Sequence, residues 1–513
     1  MNLHAYEWIV GLGGIFAFTT AYGIGANDVA NAFATSIGSG ALSIKQAVLF
    51  ASIFEFSGAL LMGSHVTDTI RKGIADYSCF EDDPAILMYG CMCVLASMSV
   101  WLILASHLEM PVSTTHSCVG GMIGMTMVSR GVSCVTWNKS TSRFPFIKGV
   151  SSIIASWLIS PFVASIFTSC FFYIIRTTVL RKENAYQRSL WVFPFLLGTT
   201  ICINTFFIVY KGAKFLKLDN TPIEIAFAWA FGIGGGVALL SLLFMPQLKR
   251  VTERAISKNN NHNVLEDSEK LEEVVINYDD MKLHERIYTY IKNAINMDPK
   301  EIVKKDETIM DIHENAEKFD ENAEISMRYL QIITACCGAF AHGANDVANS
   351  IAPFGAIWSI YKSGDLSDKK NDLGTDAYWI LSLGAAGIVI GLATFGYKIM
   401  NVLGTKLTKI TPSRGACIEL GSACVIIMGS RLGWPLSTTH CQVGATVGVG
   451  LLEGVKGINY KILRKTLFGW VFTLIFVGGL TALLFAQGAY APMVHYPGYI
   501  KGMNTPPSPP EPS

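Results

Sequence analysis

The heptapeptide "GANDVAN" at Gly25–Asn31 returns letter for letter at Gly343–Asn349. Both copies sit in apolar surroundings, "FTTAYGIGANDVANAFATSIG" and "CCGAFAHGANDVANSIAPFG". An Asp within a membrane segment costs about 2.5–3.5 kcal/mol or more at mid-bilayer, so it is retained for a purpose. A second sequence is duplicated as well: "MPVSTTHSCVGGMIG" at Met110–Gly124 and "WPLSTTHCQVGATVG" at Trp434–Gly448. Asn27 lies 86 residues before Ser113, and Asn345 lies 92 before Ser437. The chain is therefore two halves of similar length, each carrying one copy of each motif.

Composition agrees with a membrane setting. Of 513 residues, 51% are hydrophobic and 15% charged, and mean hydropathy is +0.38. Soluble domains carry about 25% charged residues. The deficit is deeper than it looks, because 19 of the 39 acidic residues fall between Lys249 and Glu324. Ten apolar segments, from Trp8–Tyr22 to Leu467–Ala486, are candidates for the roughly 20-residue span a bilayer requires. Several are short or rich in Gly, and those adjoin the repeated motifs.

These features predict an all-α polytopic membrane protein, with 1–246 an N-terminal membrane half and its connecting spans. A charged cytoplasmic loop occupies 247–326, the second membrane half 327–489, and a disordered tail 490–513. Arg176, Arg181, Lys182 and Arg188 cluster in one loop, and Lys249, Arg250 and Arg254 follow two spans later. Both groups are then cytoplasmic, with the termini outside. Lys211, Lys214 and Lys217 run mildly against this rule, and the sequon Asn138-Lys139-Ser140 falls outside. The N-terminus lacks the basic stretch of a cleaved signal peptide. Net charge of +1 gives no basic surface for nucleic acid. Twelve cysteines without a CxxC pair read as small buried side chains, not as a disulfide or zinc framework. No HExxH or GxGD is present, so an intramembrane hydrolase is disfavoured and no enzyme activity or cofactor is expected. In the loop, a stretch around Met281–Ala294 reads as an amphipathic helix.

The motifs suggest their chemistry. Gly23 and Gly25 are expected to break a helix, with Asn27 or Asp28 capping the next. Asn27 and Asn31 share a face. Asp28, the Asn side chains and freed carbonyls are hard oxygen ligands suited to a small cation such as Na⁺. In the second motif Pro111 fits a helix entry, and Ser113, Thr114 and Thr115 place hydroxyls beside N–H groups at its positive end. That makes an anion site without Lys or Arg. Duplicated, interrupted segments in matching positions are the sequence pointer to a transporter's binding site. Glu55 and Glu419, in apolar segments and without a Glu at the corresponding place in the other half, are candidates for ion coupling or gating. His116 and His440 read as packing or capping groups ahead of a proton relay. Arg414 is placed at an interface or cytoplasmic vestibule.

Taken together, GANDVANA/GANDVANS, PVSTTH/PLSTTH and "TPSRGACIELGSA" closely resemble the inorganic phosphate transporter family, the type III sodium–phosphate symporters. The resemblance covers both hydrophobic halves and stops at the loop and tail. It implies an inverted-repeat bundle of about twelve membrane segments with hairpins, a homodimer in many members, and phosphate and sodium near the midplane. By that resemblance phosphate falls to Ser113, Thr114, Thr115, Ser437, Thr438, Thr439, Asn27 and Asn345. Sodium falls to Asp28, Asn31, Asp346 and Asn349, and coupling to Glu55 and Glu419. Leu436 replaces the family's usual Val. The expected function is sodium-driven phosphate import at the plasma membrane; the alternative is a proton-coupled phosphate or sulfate permease.

Overall fold

The computed structural model describes residues 3–140, 146–210, 218, 221–266, 306–364, 366, 373–431 and 434–490. They form fifteen α-helices and one short ribbon, Lys139–Ser140 paired with Ile147–Lys148. Helix α1 (Glu7–Ile24) runs through a π-helical turn, Gly25–Val29, straight into α2 (Ala30–Gly38). Next come α3 (Ile44–Gly73), α4 (Pro84–His107), α5 (Thr114–Arg130) and α6 (Val150–Ile175). The long hairpin α7 (Ala185–Val209) and α8 (Ile223–Glu266) leads to α9 (Glu307–Asn315). The second half holds α10 (Glu321–Ser363), α11 (Ala377–Phe395), α12 (Tyr397–Asn401), α13 (Pro412–Arg431), α14 (Thr438–Leu452) and α15 (Tyr460–Ala489).

Eight helical stretches among the described residues are long and apolar enough to cross a membrane. Their outer faces stay apolar: Trp191, Phe195, Phe231 and Leu243 are largely exposed. That is the surface lipid demands, and helices satisfy their backbone polar groups internally. The 44 residues of α8 extend about 66 Å, twice the hydrocarbon thickness, so its basic end (Lys249, Arg250, Arg254) projects beyond the core. The stretch Met281–Ala294, Lys211–Lys217 and all but the first residue of the tail lie outside the described residues.

Close helix approaches reveal how the halves interlock. A Cβ on Gly25 would strike the carbonyl of Ile388, and one on Gly391 that of Tyr22, joining α1 to α11. The mirrored pairs, Gly343 with Glu55 and Gly58 with Phe340, join α10 to α3. The same exchange recurs at the second motif. Gly120 and Gly124 of α5 lie on the backbone of Leu474 and Gly478 in α15, while Gly444 and Gly448 of α14 lie on Pro161 and Ser165 in α6. Each half thus packs its motif helices against its counterpart's partner, and Ile388 occupies the place of Glu55.

Two sequence expectations are corrected. The GANDVAN glycines break no helix: the first copy continues through the π turn and the second lies inside the unbroken α10. The reason is packing, because Gly25 and Gly343 are where another backbone leaves no room for a side chain. Nor are all cysteines isolated, since Cys79 and Cys134 form a disulfide. An isolated bridge between Ala75 and Val135 brings the α3–α4 and α5–α6 loops together, and the Cα atoms of Cys79 and Cys134 lie 6.1 Å apart. Disulfides persist in oxidising compartments.

Candidate functional site

The two hairpin motifs meet tip to tip. The N-caps of α5 and α14 are Ser113 and Ser437, whose hydroxyls accept from the amides of His116 and His440, each at 3.3 Å. Each cap satisfies one of the free N–H groups of its helix start. Two positions on, the hairpins exchange bonds: Thr115 donates to the carbonyl of Leu436 at 3.0 Å, and Thr439 to that of Val112 at 3.2 Å. This reciprocity is a local twofold relation written in hydrogen bonds.

The GANDVAN segments deliver their carboxylates to the same place. Asp28 Oδ2 accepts from the Thr114 hydroxyl at 2.6 Å, and Oδ1 accepts from Thr438 at 3.1 Å and from Thr439. Asp346 accepts from Thr438 at 3.0 Å and from the Asn345 amide at 3.0 Å. The ring Nδ1 of His342 stands 3.7 Å from Asp346. Asn349 donates to Thr114 at 3.0 Å and Thr115 at 3.3 Å, while its Oδ1 finds no partner among the described residues. All of these side chains are buried. Asn31 sits on α2 in the same segment, but its side chain lies outside the described residues.

The remaining candidate residues separate by role. Asn27 donates to Ser106 and to the Met110 carbonyl, and accepts from the Val112 amide at 2.9 Å. Its amide therefore clamps the bend leading into α5. Asn345 donates to the Leu436 carbonyl at 3.0 Å, as well as to Asp346. Glu55 is buried on α3, within electrostatic reach of Asp346 and Asp28, and neither oxygen has a partner among the described residues. Glu419 is the opposite case: Thr35, Ser36, Thr334 and Gln331 all donate to it, at 2.5–3.3 Å. These four partners were missed in the sequence because they come from α2 and α10, far from α13 along the chain. Arg414 is buried against Glu453 at 2.7 Å, its guanidinium facing Phe172 and Phe319.

Four motif copies, drawn from both halves of the chain, thus converge on a cage of hydroxyls, amides and two carboxylates. Against known proteins, residues 24–481 match the model of the phosphate transporter family. The chain belongs to that family. It is 32% identical to the phosphate-repressible phosphate permease pho-4 of Neurospora crassa, over 97% of this chain and all of that one. It is 26% identical to sodium-dependent phosphate transporter 1 of Mus musculus, covering 94% and 95% of the two chains. A solved structure entitled "The sodium-dependent phosphate transporter" superposes with a TM-score of 0.71 at 29% identity, covering 93% of this chain and 98% of that one. The chain is an integral membrane protein of the phosphate transporter family.

Proposed function

We propose that this phosphate transporter is a sodium-driven importer whose cage of Thr114, Thr115, Thr438, Thr439, Asp28, Asp346 and Asn349 holds both the anion and the coupling ions. The observation that carries the reading is where the threonine protons point. A hydroxyl has one proton to donate and two lone pairs to offer. The protons of Thr114 and Thr438 are directed at Asp28 and Asp346, and that of Thr439 is shared between Asp28 and the Val112 carbonyl. A phosphate entering the same cage would confront two carboxylates and find these donors already engaged. Sodium ions bound to the carboxylates, the free Oδ1 of Asn349 and the hydroxyl lone pairs would offset that repulsion and release the protons toward phosphate. Cation binding then precedes and enables anion binding, which is the physical content of symport.

Ser113 and Ser437 act as caps at the positive helix ends that face the anion. Glu55 and Glu419 serve as coupling carboxylates beside the cage. Two cations, one for each GANDVAN copy, with one monovalent phosphate carry one net positive charge inward per cycle. Each charge crossing the field gains about 2.3 kcal/mol per 100 mV. The basic ends of α6 and α8 face the cytoplasm, and the face bearing the disulfide lies outside, in the plasma membrane.

The test is phosphate-evoked current in voltage-clamped cells, with Na⁺ present and then replaced by choline. Inward current that collapses in choline is expected. Uptake without current, or current undiminished in choline, would replace this mechanism with a proton-coupled or electroneutral one. Orientation has its own check: Asn138 and Lys139 are exposed in the loop that carries Cys134, so an impermeant lysine reagent should label that loop from outside.

A further inference from the structure

Behind the hydroxyl cage, at the start of each hairpin helix, four rings gather on the local twofold. His116 of α5 and His440 of α14 stand edge to face with centroids 4.6 Å apart. His116 lies against Trp157 of α6 at 3.7 Å, and His440 stacks on Trp470 of α15 at 3.6 Å. The glycine contacts pair α5 with α15 and α14 with α6. Each histidine therefore packs its ring on the tryptophan of the opposite pair, and the four rings join the two pairs. All four residues are buried.

The polar atoms of this cluster are unevenly served. His440 Nδ1 lies 2.9 Å from the Trp157 carbonyl, which can only accept, so Nδ1 carries the hydrogen and Nε2 is left as an acceptor. That Nε2 and the indole N–H groups of Trp157 and Trp470 have no hydrogen-bond partner among the described residues. Buried unpaired groups are rare and costly, and they call for an explanation. A junction held mainly by ring packing has few directional contacts to lose when it moves.

We infer that the His116–His440–Trp157–Trp470 quartet is the pivot about which the two hairpins reorient, with His116 and His440 as positioning residues for transport. From the quartet, α5 runs toward the face with the disulfide and the Arg130–Asp82 ion pair. Helix α14 runs the other way, toward the Arg414–Glu453 pair. Rotation at the quartet swings both far ends while shifting the threonine hydroxyls, which lie beside it, very little. Stacked rings can slide, and the bond from His440 to the Trp157 carbonyl sets the register. The inference rests on the cage being the transport site.

The experiment separates binding from turnover in purified, reconstituted protein, using labelled phosphate in saturating Na⁺. His116→Phe and His440→Phe keep a buried ring but remove the nitrogens. Both are expected to bind phosphate within about twofold of the parent, while uptake turnover falls about tenfold or more in His440→Phe, which loses the bond to Trp157, and less in His116→Phe. His440→Asn places an amide nitrogen where Nδ1 stood and is expected to recover much of the lost turnover. Binding and turnover both unchanged in the Phe variants would overturn the pivot and leave the quartet as packing. Loss of binding in well-folded variants would also overturn it, making the histidines part of the cage. Asp28→Asn run alongside tells the two readings apart: if it binds and transports normally, the assignment of the cage fails and not the pivot alone.

Discussion

The two GANDVAN copies are identical in sequence and unlike in structure. The first contains a π-helical turn and presents Asp28 to three threonine hydroxyls drawn from both hairpins. The second is regular α-helix, and Asp346 draws on one of those hydroxyls, Thr438, together with its neighbour Asn345. A π turn adds a residue to the helical circuit and rotates the side chains beyond it; such turns gather at functional sites. The twofold relation of the backbone therefore does not extend to the carboxylates. Asp28 links the hairpins, whereas Asp346 reads mainly the second.

The largest effect stems from this difference. Asp28→Asn should reduce phosphate uptake to background at normal membrane abundance, because it removes the charge and turns one of the two acceptor oxygens that join the hairpins into a donor. Asp346→Asn should also impair uptake severely, yet leave a measurable remainder. Uptake assays on membranes with matched protein levels decide it. Equal loss in both variants, or a greater loss for Asp346→Asn, would mean the asymmetry has no functional weight.

Within the hairpins, the Thr438 hydroxyl is placed on both carboxylates. A hydrogen bond to a charged group contributes about 1.5–3 kcal/mol, so Thr438→Ala should raise half-saturating phosphate or sodium by roughly tenfold or more. Thr114→Ala, bonded to Asp28 alone of the two carboxylates, should do less. Ser113→Ala should act differently again. Its hydroxyl caps α5, and losing a cap costs about 0.5–2 kcal/mol of stability. Its signature is a lower unfolding temperature with half-saturation changed less than in Thr438→Ala. If Ser113→Ala instead shifts half-saturation as much as Thr438→Ala, the caps bind substrate directly.

How much of this was legible in the sequence depends on what kind of information a feature carries. The duplication, the membrane character and the clustering of Asp28, Asp346 and the threonines were readable, because repetition of rare polar motifs in apolar sequence has few explanations. The π turn was not. The same seven residues take two conformations, so the choice lies with neighbours: the backbone of Ile388 beside Gly25, and of Glu55 beside Gly343. Trp157 and Trp470 belong to no motif and become a pair only through the interlocked helices. The role of Asn27 was half visible, since its polarity was evident but its clamp on Met110 and Val112 is a tertiary contact. Glu419 showed as a buried carboxylate, while the donors around it come from distant helices.

The smallest expected effect on transport concerns how each half closes its own end. In the first half, the α3–α4 loop is tied to the α5–α6 loop by backbone bonds, Thr136 to Ile74 and Asp76 to Cys134, and by the Cys79–Cys134 disulfide. In the second half the corresponding loops are joined by Asn459 to Leu407 and by the Thr408 hydroxyl to Gly457, with no disulfide among the described residues. The covalent tie closes a loop of 55 residues, for which chain entropy gives about 4 kcal/mol of stabilisation. Both ends belong to connections within one half, and neither touches the cage. Replacing Cys79 and Cys134 together with Ser should therefore lower the unfolding temperature while leaving half-saturation for phosphate and sodium unchanged. Reducing agent should reproduce the shift in the parent and add nothing in the variant. Were the double variant to alter half-saturation, the disulfide-bearing end would be coupled to the cage, and the two halves would differ in mechanism and not in stability alone.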